Sequence, residues 1–140
     1  MIRVVIDTNV LISGTFWDSP SFKVLDLVDT NKVSLIVSRE ILDEYDDVLH
    51  RDEILDKSAY SFERAQSTIK MLGNSVIVEP LEKLKLVKDD PDDDIFIETA
   101  IAGSAEYIIT QDNHLLKLKE FKGIKIVTPE EFLSTNKPIS

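Results

Sequence analysis

The chain has 140 residues, a length typical of one domain and sufficient to bury a substantial core. Hydrophobic residues make up 43% and charged residues 30%, a globular balance that argues against disorder, and the absence of cysteine excludes disulfides, thiol nucleophiles and cysteine-bound metals. With 26 acidic against 16 basic residues, the formal charge of −10 excludes a protein that binds nucleic acid simply by being basic.

The sequence also bears on the number of domains and on the location of the protein in the cell. We expect a single domain over residues 1–140, because no repeat or low-complexity linker divides the sequence. The opening MIRVVIDTN shows no long apolar run after a basic start, so no signal peptide is expected. No segment approaches the apolar length of a membrane-spanning helix, which makes the cytoplasm the expected location.

The predicted elements alternate between strands and helices. The first, Ile2 to Ile6, is a nearly continuous apolar run typical of a strand buried on both faces of a parallel sheet. Further strands are predicted at 35–37, 76–78, 107–109 and 124–127. Helices are predicted from caps and apolar stripes at 19–28, 38–49, 62–72, 95–102, 115–118 and from 128 onward. This alternation predicts an α/β fold with a parallel sheet covered on both faces.

Two acidic residues follow predicted strands. Asp7 comes directly after the first strand, and Asp112 comes two residues after the strand that ends near Thr110. Ligands of open α/β sheets bind beyond the carboxyl ends of the strands, which makes both residues candidates for a site. Aspartate also favours turns and helix caps, so either residue alone is weak evidence.

Glu44 is distinguished by its place on the predicted helix over 38–49. On a helical wheel it flanks the apolar stripe, whereas four other acids lie on the opposite side: Glu40, Asp43, Asp46 and Asp47. A carboxylate at the boundary of a core needs a partner, and a metal ion is one candidate. The alternative is an ordinary boundary residue or ion pair.

The segment DDPDDD over residues 89–94 is the sharpest change of composition in the chain. An acidic loop before the positive end of a helix would explain most of it. Asp94, however, is in helical phase with the packed face of the following helix, which directs it inward. Asp92 and Asp93 are the competing assignments.

Four inward acids, no cysteine and only two histidines favour oxygen ligation of Mg²⁺ or Mn²⁺. The chemistry usually served by such a site is phosphoryl transfer or phosphodiester hydrolysis by metal-activated water. Bound metal would also let a protein of charge −10 hold an anionic phosphate near several carboxylates.

Four segments together resemble the PIN domain, and more narrowly the PIN-family toxins of prokaryotic toxin–antitoxin systems. They are VIDTNVLIS at 4–12, SREILDEYDDVL at 38–49, DPDDDIFIETA at 90–100 and YIITQDNHLL at 107–116. The similarity extends over almost the whole chain, to VTPEEFL at 127–133. It implies a three-layer α/β/α sandwich with a central, mainly parallel twisted sheet.

The resemblance also implies an activity and a site. Members of this group cleave single-stranded RNA with Mg²⁺ or Mn²⁺ held by four acids, which fall here on Asp7, Glu44, Asp94 and Asp112 as catalytic and metal-binding residues. The supporting positions fall on Asn9, Asp90, Asp93 and Thr110. The resemblance further implies a homodimer and an antitoxin partner. Gln111 departs from the glycine that the subgroup often has there.

Two other functions remain open. A phosphatase of the haloacid-dehalogenase type also places an Asp after its first strand, but it wants an Asp-x-Asp pair, and Asn9 stands at the second position here. An inactive metal-binding or RNA-binding module would use the same acids without cleavage.

Two lysine groups are open to two interpretations: 83, 85 and 88, and 117, 119 and 122. They could flank an RNA path, or they could be solvated edges that discourage sheet aggregation. The second interpretation is preferred from sequence.

Overall fold

The computed structural model of the chain describes residues 1–51, 61–81 and 94–136. Its strands are β1 (Ile2–Ile6), β2 (Val33–Val37), β3 (Val76–Ile77), β4 (Tyr107–Ile109), β5 (Glu120–Phe121) and β6 (Ile124–Val127). Its helices are α1 (Thr8–Phe16), α2 (Pro20–Asp29), α3 (Arg39–Leu49), α4 (Ser61–Leu72), α5 (Asp94–Ala102), α6 (Asn113–Leu116) and α7 (Pro129–Thr135).

The strands form one sheet in the order β3-β2-β1-β4-β6-β5, in which only the β5–β6 pair is antiparallel. The central strand β1 is rich in Val and Ile, and its last three residues are fully buried, as expected for a parallel strand covered on both faces. Ile6 of β1 is in register with Ile109 of β4, so both chains leave the sheet at the same edge. We call the end of the sheet where β1, β2 and β4 finish the carboxyl edge.

Seven helices in the described ranges flank this mainly parallel sheet, which confirms the predicted α/β/α fold. Helix α5 packs against β1, β2, β4 and α3, while α1 contacts α2, α3 and α4. In the described ranges no helix is long and apolar enough to cross a membrane.

Two elements were not predicted from the sequence. Helix α1 follows Asp7 directly and buries residues around most of its circumference, so it lacks the one-sided apolar stripe that marks a surface helix. Strand β5 has two residues, which is too short to leave an alternating pattern, and among the described strands it pairs with β6 alone.

Candidate active site

Asp7 lies at the carboxyl edge, between the end of β1 and the start of α1. Its side chain caps α1 by accepting a hydrogen bond from the backbone N–H of Asn9 at 2.6 Å. The second carboxylate oxygen accepts a hydrogen bond from the hydroxyl of Thr110, the fully buried residue after β4. Asp7 is therefore held at both oxygens, with only 4% of the residue exposed.

The environment of Asp7 disfavours its charge. Burial raises the pKa of the carboxyl group, and the negative charge of Asp112 raises it further. The hydrogen bonds from Thr110 and from the backbone N–H groups of Asn9 and Val10 lower the pKa and offset only part of the rise. A cation beside Asp7 would relieve this unfavourable burial of charge.

Asp112 is linked to Asp7 through Thr110. Its backbone N–H donates to the Thr110 hydroxyl oxygen at 2.9 Å, while that hydroxyl donates to Asp7. The Asp112 carboxylate caps α6 by accepting the backbone N–H of His114 at 2.8 Å, and the ring Nδ1 of His114 lies 3.6 Å from the same oxygen. The Asp112 side chain is 23% exposed, so the site opens to solvent here.

Glu44 joins the site from α3. The hydroxyl of Thr8, the first residue of α1, donates a hydrogen bond to the Glu44 carboxylate. Glu44 is half-buried, whereas the other four acids of α3 are exposed: Glu40, Asp43, Asp46 and Asp47. The helical wheel thus predicted the orientation of Glu44 relative to its neighbours.

Tyr45, next to Glu44, is fully buried and ties α3 to the end of β1. Its hydroxyl donates a hydrogen bond to the backbone carbonyl of Ile6, the residue before Asp7. Burial raises the pKa of Tyr45 well above its ordinary value, and the charges of Asp7 and Glu44 raise it further. This phenol therefore lies close to two of the predicted acids and remains protonated.

Asp94 begins α5 and is 4% exposed. Because α5 precedes the parallel strand β4 and packs on β1 and β4, its first residue lies toward the carboxyl edge. Glu98, one turn later, is 7% exposed and lies on the same face of the helix. Sequence reasoning did not select Glu98 as a candidate, although its position four residues after Asp94 was a usable signal.

Of the supporting residues, Asn9 has an exposed side chain and acts through its backbone N–H, whereas Thr110 bridges Asp7 and Asp112. Asp90 and Asp93, together with the alternative Asp92, lie outside the described residues. Thr8 and Tyr45 were missed, the first because α1 was not predicted and the second because a buried tyrosine in an apolar stripe resembles ordinary core.

Among residues 1–51, 61–81 and 94–136, no three carboxylate or imidazole side chains converge closely enough to hold one metal ion. Asp7 and Glu44 instead accept hydrogen bonds from Thr110 and Thr8. The atoms that could bind a metal here are nevertheless carboxylate and hydroxyl oxygens, and they lie beside the buried carboxylate of Asp7. Such oxygen ligands suit a hard divalent cation. The residues present are therefore compatible with a Mg²⁺ or Mn²⁺ site.

Comparison with known proteins gives one family and one fold. The sequence matches the family model of the PIN domain over residues 3–114. The structure of PAE2754 from Pyrobaculum aerophilum is similar with a TM-score of 0.64 and 14% identity, covering 96% of this chain and 88% of that chain. No curated protein matches the sequence significantly.

Two further solved structures share the fold. VapBC2 from Rickettsia felis, bound to a DNA fragment from their promoter, matches with a TM-score of 0.56 and 18% identity, covering 89% of this chain and 97% of that chain. FitAcB from Neisseria gonorrhoeae matches with a TM-score of 0.53 and 16% identity, covering 91% and 98% respectively. At these identities the likeness establishes the architecture alone.

Proposed function

Because the chain belongs to the PIN-domain family, whose members are nucleases, we propose that it is a metal-dependent endoribonuclease that cleaves single-stranded RNA. The observation that carries the proposal is the hydrogen-bonded link from Asp7 through Thr110 to Asp112 at the carboxyl edge. Glu44, which accepts a hydrogen bond from Thr8, the residue after Asp7, is the third acid of the proposed site. Asp94, at the start of α5, is the fourth acid of the proposed site.

Asp7, Glu44, Asp94 and Asp112 are the proposed ligands of Mg²⁺ or Mn²⁺. The cation would supply Lewis acidity, which polarises a phosphodiester and acidifies water, and positive charge, which offsets the carboxylates. The protein's own contribution is orientation: Thr110 fixes one oxygen of Asp7, and Thr8 fixes one oxygen of Glu44. Each contact fixes the orientation of one carboxylate.

The exposure of the four acids indicates the side from which RNA would reach the site. Asp7 and Asp94 are buried, whereas Asp112 and Glu44 are partly exposed, so an RNA phosphate would approach past the latter two. The apolar ends of β1 and β4 lie behind Asp7 and exclude bulk water from that side. Hydrolysis in this arrangement requires no covalent bond to Asp7.

The biological setting is proposed from the motif resemblance to PIN-family toxins. We propose that residues 1–140 form one domain, that the protein is a cytoplasmic toxin restrained by an antitoxin, and that it acts as a homodimer. The similarity to VapBC2 and FitAcB supports the fold that such a toxin would have.

The test compares two substrates under two conditions. Fluorogenic single-stranded RNA and p-nitrophenyl phosphate are each incubated with the protein in Mn²⁺ and in EDTA. We expect the natural protein to cleave RNA in Mn²⁺ but not in EDTA. The Asp7→Asn variant should lose this cleavage, whereas the surface variant Asp29→Asn should keep it. Hydrolysis of p-nitrophenyl phosphate with phosphate trapped on Asp7 would assign the protein to the phosphatase class. Binding of Mn²⁺ and RNA without cleavage would assign it to the inactive modules.

A further inference from the structure

A basic hairpin follows the candidate site directly. Residues 113–127, which contain α6, β5 and β6, carry four lysines against the single acid Glu120. The lysines are Lys117, Lys119, Lys122 and Lys125, and all four are exposed. This segment therefore has a charge of +3 in a chain whose total is −10. We call residues 117–125 the lysine hairpin.

Two of the lysines occupy backbone conformations that disfavour them. Lys119 has φ of 60° and Lys122 has φ of 50°, both in the left-handed region where glycine or asparagine is usual. Lys122 and Gly123, whose φ is 83°, form the two-residue turn between β5 and β6, and such turns favour Asn-Gly. Lysine at these positions lowers the stability of the hairpin relative to the preferred residues.

Protection of the sheet edge does not require lysine at these positions. Strand β5 is the last strand of the sheet, and charged side chains on such a strand discourage aggregation. Lys119 and Lys122, however, lie just before and just after the two residues of β5. Neither residue is in the strand itself. The Lys122 ammonium lies 5.6 Å from the centroid of the Phe121 ring, which accounts for part of its placement. A role of the charge in binding an anion accounts for lysine at both strained positions.

The segment 113–127 begins beside Asp112, and the lysine hairpin within it extends away from that residue. Helix α6 starts at the residue after Asp112, and Lys117 caps its other end after a single turn. Val127 of β6 is in register with Ile109 of β4, so β6 ends at the carboxyl edge. Because β5 is antiparallel to β6, the chain enters β5 from the side of the carboxyl edge, and the turn between β5 and β6 lies toward the opposite edge. Lys117 and Lys119 are thus nearer the candidate site, and Lys122 and Lys125 are farther along the outer side of the sheet.

We propose that the lysine hairpin binds the backbone phosphates of single-stranded RNA and guides the strand to Asp112. This inference rests on the proposed function. The rest of the chain is strongly acidic and repels a polyanion, so a local basic path beside the site would offset that repulsion and release counterions from the RNA. Exposed lysines contact phosphates without reading the base sequence, which suits a non-specific guide.

The test replaces strained lysines by residues that their backbone prefers. In the double variant Lys119→Gly/Lys122→Asn we expect an unchanged or higher melting temperature, because both replacements suit positive φ. For a long mixed-sequence single-stranded RNA, KM should rise severalfold with little change in kcat. The slope of log affinity against log salt should weaken by about 0.7 for each lysine removed. The rise in KM should be smaller for a trinucleotide, because it presents fewer phosphates to the hairpin than the long RNA does.

The matched control is Lys23→Gln/Lys32→Gln, which removes the same charge from α2 and from the turn before β2. An equal rise in KM for the control and the hairpin variant would overturn the inference, because net charge alone would then explain the effect. If the natural protein cleaves no RNA, the proposed function fails, and fluorescence anisotropy with the long RNA decides the inference separately. Weaker RNA binding by the hairpin variant alone supports the inference, whereas equal or absent binding overturns it.

Discussion

At the scale of single residues, hydroxyl groups organise the carboxylates of the candidate site. Thr8 donates to Glu44, and Thr110 donates to Asp7. Tyr45 donates to the carbonyl of Ile6, one residue before Asp7. Acids placed near one another in a buried region repel and lose hydration, so donors that fix their positions are needed before any cation binds. The hydroxyls are therefore as important to the arrangement as the acids.

The orientation of α3 gives a direct test of Glu44. We expect Glu44→Gln to lose Mn²⁺ binding and RNA cleavage, because it removes the charge from the only half-buried acid of the helix. Asp47→Asn removes the same charge from an exposed residue that pairs with Arg51 at 3.3 Å, and it should keep both activities. Calorimetric titration with Mn²⁺ measures the difference. If both variants lost Mn²⁺ binding equally, Glu44 would not be a ligand distinct from the exposed acids of α3.

Tyr45→Phe tests whether the phenol positions the site. The ring still fills the core, but the Ile6 carbonyl loses its donor, which should cost roughly 1–3 kcal/mol of stability. We also expect weaker Mn²⁺ binding, because the end of β1 carries Asp7. The control Thr15→Val removes another buried hydroxyl outside the site, one that donates to the Leu11 carbonyl at 2.7 Å and lies 2.8 Å from the Thr68 hydroxyl. It should lose similar stability with no change in Mn²⁺ affinity; a matching fall in affinity would refute the positioning role.

Sequence reasoning reached some of these residues and missed others for physical reasons. Glu44 was accessible because helical periodicity fixes which side of α3 it occupies. Asp7 was accessible because the ends of parallel strands gather at one edge. The role of Tyr45 could not be predicted, because its side chain both packs in the core and donates a hydrogen bond. Hydrophobic patterning indicates only the packing.

At the scale of elements, α1 connects Asp7 to the packing of the helices. A Cβ atom built on Gly14 would lie 2.7 Å from the backbone oxygen of Ser21 and 2.7 Å from Leu25 Cδ1. Helices α1 and α2 therefore approach one another more closely at Gly14 than any other residue would allow. The position of α1, and with it the cap formed by Asp7, depends on this contact.

We expect Gly14→Ala to destabilise the protein by about 1–3 kcal/mol, because the backbone of α2 cannot move without disturbing the core. The control Gly73→Ala, whose added Cβ would lie 3.2 Å from the Lys70 carbonyl oxygen at the end of α4, should change stability by only about 0.5 kcal/mol. Urea unfolding in EDTA measures both. A Gly14→Ala protein as stable as the natural one would mean that the two helices separate freely.

Elements with strong local signals were predicted well. Helices α2 and α3 begin after the capping residues Ser19 and Ser38, and Thr128 with Glu131 forms a capping box at the start of α7. The antiparallel strand β5 could not be predicted, because two residues give no periodicity and its pairing depends on the position of β6. Tertiary contacts decide such short elements.

At the scale of the whole molecule, a metal site should link stability to metal concentration. A cation that binds only the folded state stabilises it by about 2.7 kcal/mol at a hundredfold excess over Kd. For a domain of this size we expect Mn²⁺ to raise the melting temperature by roughly 5–15 °C. Asp94→Asn should be as stable as the natural protein in EDTA, since it relieves repulsion, and should lose most of the rise.

Thermal scans of both proteins, each in EDTA and in Mn²⁺, measure these effects. If Asp94→Asn melts much lower in EDTA and responds normally to Mn²⁺, Asp94 is a structural residue of α5. The acid that takes the place of Asp94 in the proposed site would then be Asp92 or Asp93.

The order of the sheet separates the residues of the site widely along the chain. Asp7 and Thr110, whose side chains are hydrogen-bonded, are 103 positions apart. A ribosome that adds roughly 5–20 residues per second needs about 5–20 s to pass from the first to the second. During that time the nascent chain carries Asp7 and then Glu44 without the β4 segment that completes their surroundings. Under the proposed function, the growing protein therefore cannot cut the message that encodes it until the segment that carries β4 and Thr110 has been synthesised.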